Sequence, residues 1–329
     1  MQPRLIAVFT VLLTVHALSV SHAQILDLRQ LTADELRKLP PERTAVVIPG
    51  GILEEHGPYL PSYTDGYVNE YLAARLAEAI VARPGWVVLM FPPIPLGAGG
   101  FNQVGLKQAF PGTYHIHMST LRAVFMDIAS EIGEAGFKWI FVVHGHGAPE
   151  HNIALHQAAD FFSDTYNGRM AHLANLVDPA PGPNLPLLFS GSALEENGLG
   201  VHSDANETSR ILFVRGDLVR SEYQQATPMA RRTWSELVEL GSRGDFKGYV
   251  GSPRLATAAL GAESIRRSAE RYASMALRIL DGLDPRTLGR AVDMDLTDPG
   301  VRRYNDAARE HDRRIQEVQQ RWLASKGGK

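Results

Sequence analysis

Two glutamates, a histidine and an aspartate stand close together in the segment PGGILEEHGPYLPSYTD, which runs from Pro49 to Asp65. Residues two apart in an extended segment point to the same side, so Glu54 and His56 can converge on one point. Glu55 is then expected to face outward, and Asp65 directly precedes a predicted helix, where it could serve only as a cap. Carboxylates and imidazoles together suit Zn²⁺, Mn²⁺ or Fe²⁺. The segment is therefore either a metal site or a polar loop exposed to water.

Two later clusters carry side chains of the same kinds. His144 and His146 lie two apart in VVHGHGAPEHN, either as metal ligands or as histidines that hydrogen-bond within a turn. The segment GVHSDANETS supplies His202, Asp204 and Glu207, which alone would be read as a solvated loop. Two ions bridged by a carboxylate would activate a water for attack on a carbonyl carbon. Taken together, the three clusters indicate a hydrolytic metal site.

Short apolar runs that alternate with amphipathic patterns predict the elements that position these clusters. TAVVI, WVVLMF and KWIFVV are predicted strands, with helices expected at about 67–82, behind Ser119 and Thr120 as caps, and at about 150–162. This alternation is typical of a doubly wound α/β sheet. Sites in such sheets lie outside the carboxyl ends of the strands, which is where the first two clusters fall.

The beginning of the chain predicts export. An apolar run of 16 residues follows Arg4, which is short for a membrane span of roughly 20 residues, and the small residues of SHA precede Gln24. We interpret residues 1–23 as a signal peptide, the alternative being an anchor that stays attached. Cleavage leaves residues 24–329 as a single α/β domain that is periplasmic or secreted, with no stable membrane insertion.

Composition narrows the class of protein further. The formal net charge of −3 provides no basic field for a nucleic-acid partner. Because the chain contains no cysteine, a metal site must be built from histidines and carboxylates. Residues 175–200 are rich in Pro and Gly and predict a long surface excursion or lid. The highly charged helix expected at 302–322 packs on the surface or against another subunit.

Five segments, taken in order, resemble the motifs of the creatininase (creatinine amidohydrolase) family: GGILEEHGPYLPSYTD, FPGTYHIH, GFKWIFVVHGHGAPEHN, VHSDANETSRILFVRGDLV and GYVGSPRLATAALG. The resemblance implies a three-layer α/β/α sandwich with a mainly parallel central sheet. It also implies a homo-oligomer, often a hexamer, and a dinuclear metal centre that hydrolyses a non-peptide or unusual amide C–N bond. The small-molecule amide is then the expected partner.

The resemblance also assigns roles to residues one by one. It implies metal ligands at Glu54, His56, Asp65 and His146, with Asp65 as the bridge between the ions. His202 matches a histidine that does acid–base work, and Glu207 matches the glutamate of the family's E-T-S run. Ala148 stands where creatininase has a metal-binding glutamate. Either Glu207, Glu150 or a water completes the second ion, or the second site is weak, so one or two ions are expected.

Other departures concern the substrate. The family asparagine ahead of G-H is His144 here, and the second histidine of H-G-P-H is Tyr59. We therefore expect Tyr59, His144 and Tyr114 to contact the substrate, and we do not expect that substrate to be creatinine. Two alternatives stay open: a degenerate member of the fold that binds a ligand without turning it over, and a metallophosphoesterase.

Overall fold

The computed structural model describes residues 24–107, 109–178 and 189–326, with the backbone alone at Met294. The predicted signal peptide lies outside these residues. The strands are β1 (Gln24–Asp27), β2 (Thr44–Pro49), β3 (Val87–Met90), β4 (Trp139–Val143), β5 (Arg169–His172), β6 (Leu176–Val177) and β7 (Gly289–Arg290). The helices are α1 (Ala33–Leu36), α2 (Thr64–Val81), α3 (Met118–Glu134), α4 (Pro149–Tyr166), α5 (Gly191–Asn197), α6 (Ala205–Arg215), α7 (Trp234–Ser242), α8 (Ala258–Leu280), α9 (Ala291–Asp295) and α10 (Pro299–Ser325).

The central sheet has five strands in the order β1-β3-β2-β4-β5, and every neighbouring pair is parallel. Strand β2 lies in the middle and is buried along its whole length, which explains its uninterrupted apolar sequence. The predicted α/β sandwich with a parallel sheet is confirmed. Strands β6 and β7 form a separate antiparallel pair.

Helices cover both faces of the sheet because β2 alternates its side chains between them. Ala45 and Val47 pack in one core with residues of α2, α6 and α8. Val46 and Ile48 pack in a second core with residues of α3 and α4. A third apolar cluster joins α7 and the start of α10 to a short helix that begins at Phe101. No helix among the described residues is long and apolar enough to cross a membrane.

The chain changes direction across the sheet at β2, since β3 lies on one side of it and β4 on the other. The loops that leave the carboxyl ends of β2 and β4 therefore diverge and open a crevice between them, the usual place for a site in such folds. The first cluster leaves β2 and the second leaves β4. The topology thus brings both clusters to one edge.

One local expectation needs correction. Helix α3 begins at Met118 after an extended His117, so Ser119 and Thr120 lie in its first turn and do not cap it. The C-terminal helix begins at Pro299 and packs its first turns on α7 through Val301 and Tyr304, whereas its last turns are exposed. Of the expected lid at 175–200, residues 179–188 lie outside the described part of the chain.

Candidate metal centre

The loop after β2 delivers Glu54 and His56 to the crevice and lies close against the start of α2. A side chain at Gly51 would place its Cβ 2.5 Å from the Gly66 nitrogen, so only glycine permits this approach. Asp65 stands in the first turn of α2, with no capping hydrogen bond from the residue before the helix. Its carboxylate instead faces the imidazoles of His56 and His146. The capping interpretation of Asp65 does not account for this orientation.

The loop after β4 brings His146 into the same group. Its Nε2–H donates to the Gly99 carbonyl oxygen at 2.6 Å. The other ring nitrogen, Nδ1, lies 3.0 Å from Asp65 Oδ2 and 3.4 Å from Glu54 Oε2. A backbone carbonyl that fixes one nitrogen and leaves the other for a ligand is the usual arrangement around metal-binding histidines.

His56 is oriented in the same way. Its Nδ1–H donates to the Glu54 carbonyl oxygen at 3.1 Å, which leaves Nε2 facing the carboxylates. Nε2 lies 3.7 Å from Asp65 Oδ1 and 3.6 Å from Glu207 Oε2. Glu207 reaches this point from the first turn of α6, whose N-terminus is capped by Asp204. Asp204, a candidate ligand in the sequence, therefore acts as a helix cap and is held by Asn197.

These side chains and His202 form three overlapping groups of potential ligands. The ligand atoms of Glu54, Asp65 and His146 lie within 4.8 Å of one another, and so do those of His56, Asp65 and Glu207 and those of Glu54, His56 and His202. Asp65 belongs to the first two groups, as a bridging carboxylate would. Glu54 Oε2 is buried and accepts no hydrogen bond, which is costly unless a cation faces it. The donor set therefore fits divalent metal.

The charges of the centre follow from its burial and its close pairs. Burial lowers the pKa of both imidazoles, but carboxylates outweigh this effect: Asp65 and Glu207 raise the pKa of His56 to about 10. Glu54 and Asp65 likewise raise the pKa of His146 to about 9. Burial opposes the ionisation of Asp65, yet the two histidines hold its pKa below the usual range. Protons thus supply the positive charge that a divalent cation would supply on displacing them.

Ala148 stands where creatininase has a metal-binding glutamate, and a residue of another element can take the place of that ligand. Ala148 lines the cavity without a ligand atom, and the geometry offers Glu207 of α6 as the third member of the second group. Glu150, the other residue considered for this place, is directed to α10 and belongs to none of the three groups. The distances therefore favour Glu207 over Glu150.

His202 lies beside this centre and is held on three sides. Its Nε2–H donates to the Glu55 carbonyl oxygen at 2.8 Å, and its ring stacks on Phe101 with the ring centroids 4.3 Å apart. The centroid of the His56 ring is 4.5 Å away. Burial lowers the pKa of His202, but Glu54 and Glu55 outweigh this effect and raise it. The imidazole is thus fixed in place, and its surroundings favour the protonated form.

Glu55 does not face outward, contrary to the expectation from strand alternation. Glu55 is only 3% exposed, and one oxygen of its carboxylate accepts a hydrogen bond from the Gly57 N–H at 3.0 Å. The other carboxylate oxygen lies 3.5 Å from His202 Nε2. The segment that carries His202 folds over the loop, so the side opposite Glu54 is also covered. Glu55 therefore belongs to the surroundings of His202.

The three residues expected to contact substrate lie away from the centre. His144 is fully buried, and its ring nitrogens are paired with the Ile94 carbonyl oxygen and with His151. Burial lowers its pKa to about 4, so it is neutral. Tyr59 packs against Tyr249, and Tyr114 is 70% exposed. None of the three lines the cavity around the metal groups, so their role in substrate contact stays a prediction.

That cavity has a volume of about 450 Å³, in the range of small-molecule sites. Several residues that line this cavity were not predicted from the sequence: Phe101, Arg210, Trp234, Arg271 and Tyr304. These residues come from elements distant in the chain, and nothing local in their sequence marks them. The spacing of Glu207 and Arg210, three apart on a helix, could have indicated that Arg210 lies on the same side of the helix as the candidate ligand Glu207.

Glu150 is a buried carboxyl on the first turn of α4. The Asn305 amide, with its nitrogen turned toward it, donates to both of its oxygens and lies 2.8 Å from Oε2. Arg309 Nε is 3.6 Å from Oε1. Burial nevertheless raises the pKa of Glu150 to about 7. Asn305 and Arg309 of α10 thus contact the cavity wall through Glu150, whose carboxyl group ionises near neutral pH.

The Glu150→Gln variant should become more stable relative to wild type as the pH rises from 4.5 to 7. The folded-state pKa is about 7 against an ordinary value of 4.5, so the stabilising contribution of protonated Glu150 is lost across this window. Glutamine does not ionise, and the difference in unfolding free energy should shift by at most about 3 kcal/mol. Urea unfolding at several pH values measures the shift, and parallel curves for the two proteins would contradict it.

Fold and site together define an α/β protein with a carboxylate–histidine centre, suited to divalent metal, at the carboxyl edge of its sheet. The chain belongs to the creatininase family, since residues 29–276 match the family model described as creatinine amidohydrolase. This confirms the resemblance read from the five motifs.

Individual relatives agree with this assignment. A mycofactocin precursor peptide peptidase of Mycobacterium ulcerans is 28% identical over 256 residues, which cover 73% of this chain and 87% of the relative. A zinc–zinc mutant form and a manganese form of creatininase each superpose with a TM-score of 0.56 at 18% identity. Each of these matches covers 76% of this chain and 96% of the solved structure. At that identity the superposition shows the fold alone.

Proposed function

We propose that this protein is a metal-dependent amidohydrolase that cleaves the C–N bond of a small, possibly cyclic, amide other than creatinine. One observation carries the proposal: two groups of ligand atoms share Asp65 in a cavity wall and lie beside a buried, oriented His202. Members of the family that are similar to this chain include a peptidase and creatininases, so hydrolysis is common to them.

The residues present divide the work between them. Glu54, Asp65 and His146 would hold one ion, and His56, Asp65 and Glu207 a second; Zn²⁺, Mn²⁺ and Fe²⁺ all suit such ligands. The zinc and manganese forms of creatininase support the first two metals. Divalent ions of this kind activate water at neutral pH and polarise a carbonyl oxygen.

His202 is suited to deliver a proton to the departing nitrogen. Because its Nε2–H is committed to the Glu55 carbonyl, Nδ1 is the atom left to exchange the proton. Stacking on Phe101 keeps the ring from turning, and the raised pKa favours the protonated imidazole that this transfer requires. Glu207, next to both His56 and the cavity, is the second candidate for proton transfer.

Metal removal tests the proposal. Chelator-treated protein should lose hydrolysis of a panel of N-acyl and cyclic amides, and Zn²⁺ or Mn²⁺ should restore it at one or two ions per chain by elemental analysis. A metal-free protein with undiminished activity would overturn the proposal. A protein that holds the ions, binds amides and cleaves none of them would instead support the non-catalytic alternative.

Export and assembly are further parts of the proposal. The apolar run and the SHA segment support a cleaved signal peptide and a periplasmic or secreted protein, which N-terminal sequencing of the mature chain tests. The family resemblance supports a homo-oligomer, possibly a hexamer. Exposed apolar side chains on the last turns of α10, namely Ile315, Val318 and Trp322, offer a face for a second copy. A monomeric mass in light scattering would exclude the oligomer.

A further inference from the structure

Two arginines line the cavity beyond the metal groups. Arg210 lies on α6, and Arg271 lies on α8, which packs against it. Arg210 donates to the hydroxyl oxygens of Ser264 and Ser268 at 2.7 and 3.0 Å. Arg271 donates to the carbonyl oxygens of Ala174 and Leu176 at 3.4 Å. All four partners are neutral, so neither guanidinium is compensated by them.

Within α6 and α8, the absence of a carboxylate partner distinguishes Arg210 and Arg271 from the other arginines. The other arginines of α6 and α8 each form an ion pair with an acid: Arg215, Arg266, Arg267 and Arg278. Among the described residues, by contrast, no carboxylate comes within 4.0 Å of Arg210 or Arg271. Residues 1–23, 108, 179–188 and 327–329 contain no Asp or Glu that could pair with them.

The two arginines are linked through α8, and Arg210 lies one turn from the potential ligand Glu207. Ser268, which accepts from Arg210, lies one turn before Arg271 on α8. Arg210 lies one turn after Glu207 on α6, and residues at this spacing are neighbours, with about 5–6 Å between their Cβ atoms. An anion held by Arg210 would therefore lie on the same side of α6 as Glu207.

From this arrangement we infer that Arg210 and Arg271 form a carboxylate-binding subsite, and that the substrate is an amide that carries a free carboxylate. The inference rests on the proposed amidohydrolase function and names its substrate class. A guanidinium presents several N–H donors in a plane, and the pair retains donors after the contacts described above. Trp234 and Tyr272 line the same cavity and can contact the apolar part of such a molecule.

Calorimetric titration of untreated and chelator-treated protein with a matched pair of compounds tests the subsite by binding, and the chelator-treated protein does so without turnover. N-acetylalanine carries the carboxylate, and N-acetylalaninamide replaces it with a neutral group of the same shape. Wild-type protein should bind the acid about 10- to 100-fold more tightly than the amide, as charged hydrogen bonds would give. The preference should persist after chelator treatment, because the arginines and not a metal would carry it.

Three variants complete the experiment. Arg271→Gln and Arg210→Gln should each lose most of the preference for the acid, whereas Arg271→Lys should keep part of it. Arg266→Gln is the matched control, because it removes the same charge from an exposed position of α8 that pairs with Glu263 and Glu270. Arg210 also links α6 to α8 through its hydrogen bonds to Ser264 and Ser268. If Arg210→Gln does not fold, the binding preference of Arg271→Gln alone tests the subsite.

Equal binding of acid and amide by wild type would overturn the subsite, and so would an unchanged preference in Arg271→Gln. A longer acetylated peptide with a free C-terminus distinguishes the two sources of the carboxylate. Tighter binding of the peptide would assign the subsite to peptide C-termini, and tighter binding of N-acetylalanine to small N-acyl amino acids. Failure of the proposed hydrolysis remains distinguishable, because it would appear in turnover and leave this binding preference intact.

Discussion

Replacing Asp65 by asparagine is expected to strip the centre of metal and to abolish hydrolysis. Asp65 is shared by two of the three groups of ligand atoms, those completed by His146 and by Glu207, so its loss weakens both. Asparagine keeps the shape and the helical turn but removes the charge that His56 and His146 face. We expect a loss of kcat/KM greater than the factor of about 10²–10⁴ that a single proton-transfer residue contributes.

Elemental analysis and kinetics of the same preparation measure this result. Glu207→Gln is an informative comparison, because Glu207 belongs to one group only and its loss should leave one ion bound. Asp34→Asn, at an exposed position of α1, is the control for a lost carboxylate and should change neither value. An Asp65→Asn protein with the full metal content and activity would exclude Asp65 as a shared ligand.

Replacing His202 by asparagine should lower kcat by about 10²–10⁴-fold while leaving the metal content unchanged. The reason is its place beside the ligand groups, with Nε2 fixed by the Glu55 carbonyl and the ring stacked on Phe101. The pKa of His202 is raised, so wild type should lose activity at high pH as this proton leaves. The variant should lack that alkaline limb of its kcat–pH profile.

The leaving group provides a sharper test of His202. An amide whose departing nitrogen is a weak base needs less help from an acid, so the variant should recover much of its kcat on an activated anilide. His202 also lies within ligand distance of Glu54 and His56. Loss of metal in parallel with activity would therefore make His202 a ligand, and an equal loss on all leaving groups would contradict its role as an acid.

Local sequence signals predicted the framework of the fold because each signal acts within a few residues. TAVVI, WVVLMF and KWIFVV became β2, β3 and β4, since uninterrupted apolar runs suit strands covered on both faces. The residue at which α3 begins could not be predicted from the sequence. Ser119 and Thr120 have capping propensity, but the chain stays extended only through His117, and Ser119 instead accepts a hydrogen bond from Gln316.

Glu55 shows where a local rule fails. Alternation along an extended segment correctly separates it from Glu54 and His56, but the prediction that the opposite side faces water requires that nothing covers that side. His202, 147 residues away in the chain, packs there with Gly248 close to the same carboxylate. No property of the EEH triplet contains that information, because the covering segments are distant in sequence.

By itself, the sequence determined which residue types stand at the ends of β2 and β4, and therefore that carboxylates and imidazoles meet at one edge of a parallel sheet. It also determined the family, through the order and spacing of five motifs. Tertiary structure alone decided that Glu207 and not Glu150 lies with His56 and Asp65, and that Arg210 and Arg271 line the same cavity. Those outcomes depend on how α6, α8 and α10 pack against the sheet, and helix packing brings together residues that no local spacing relates.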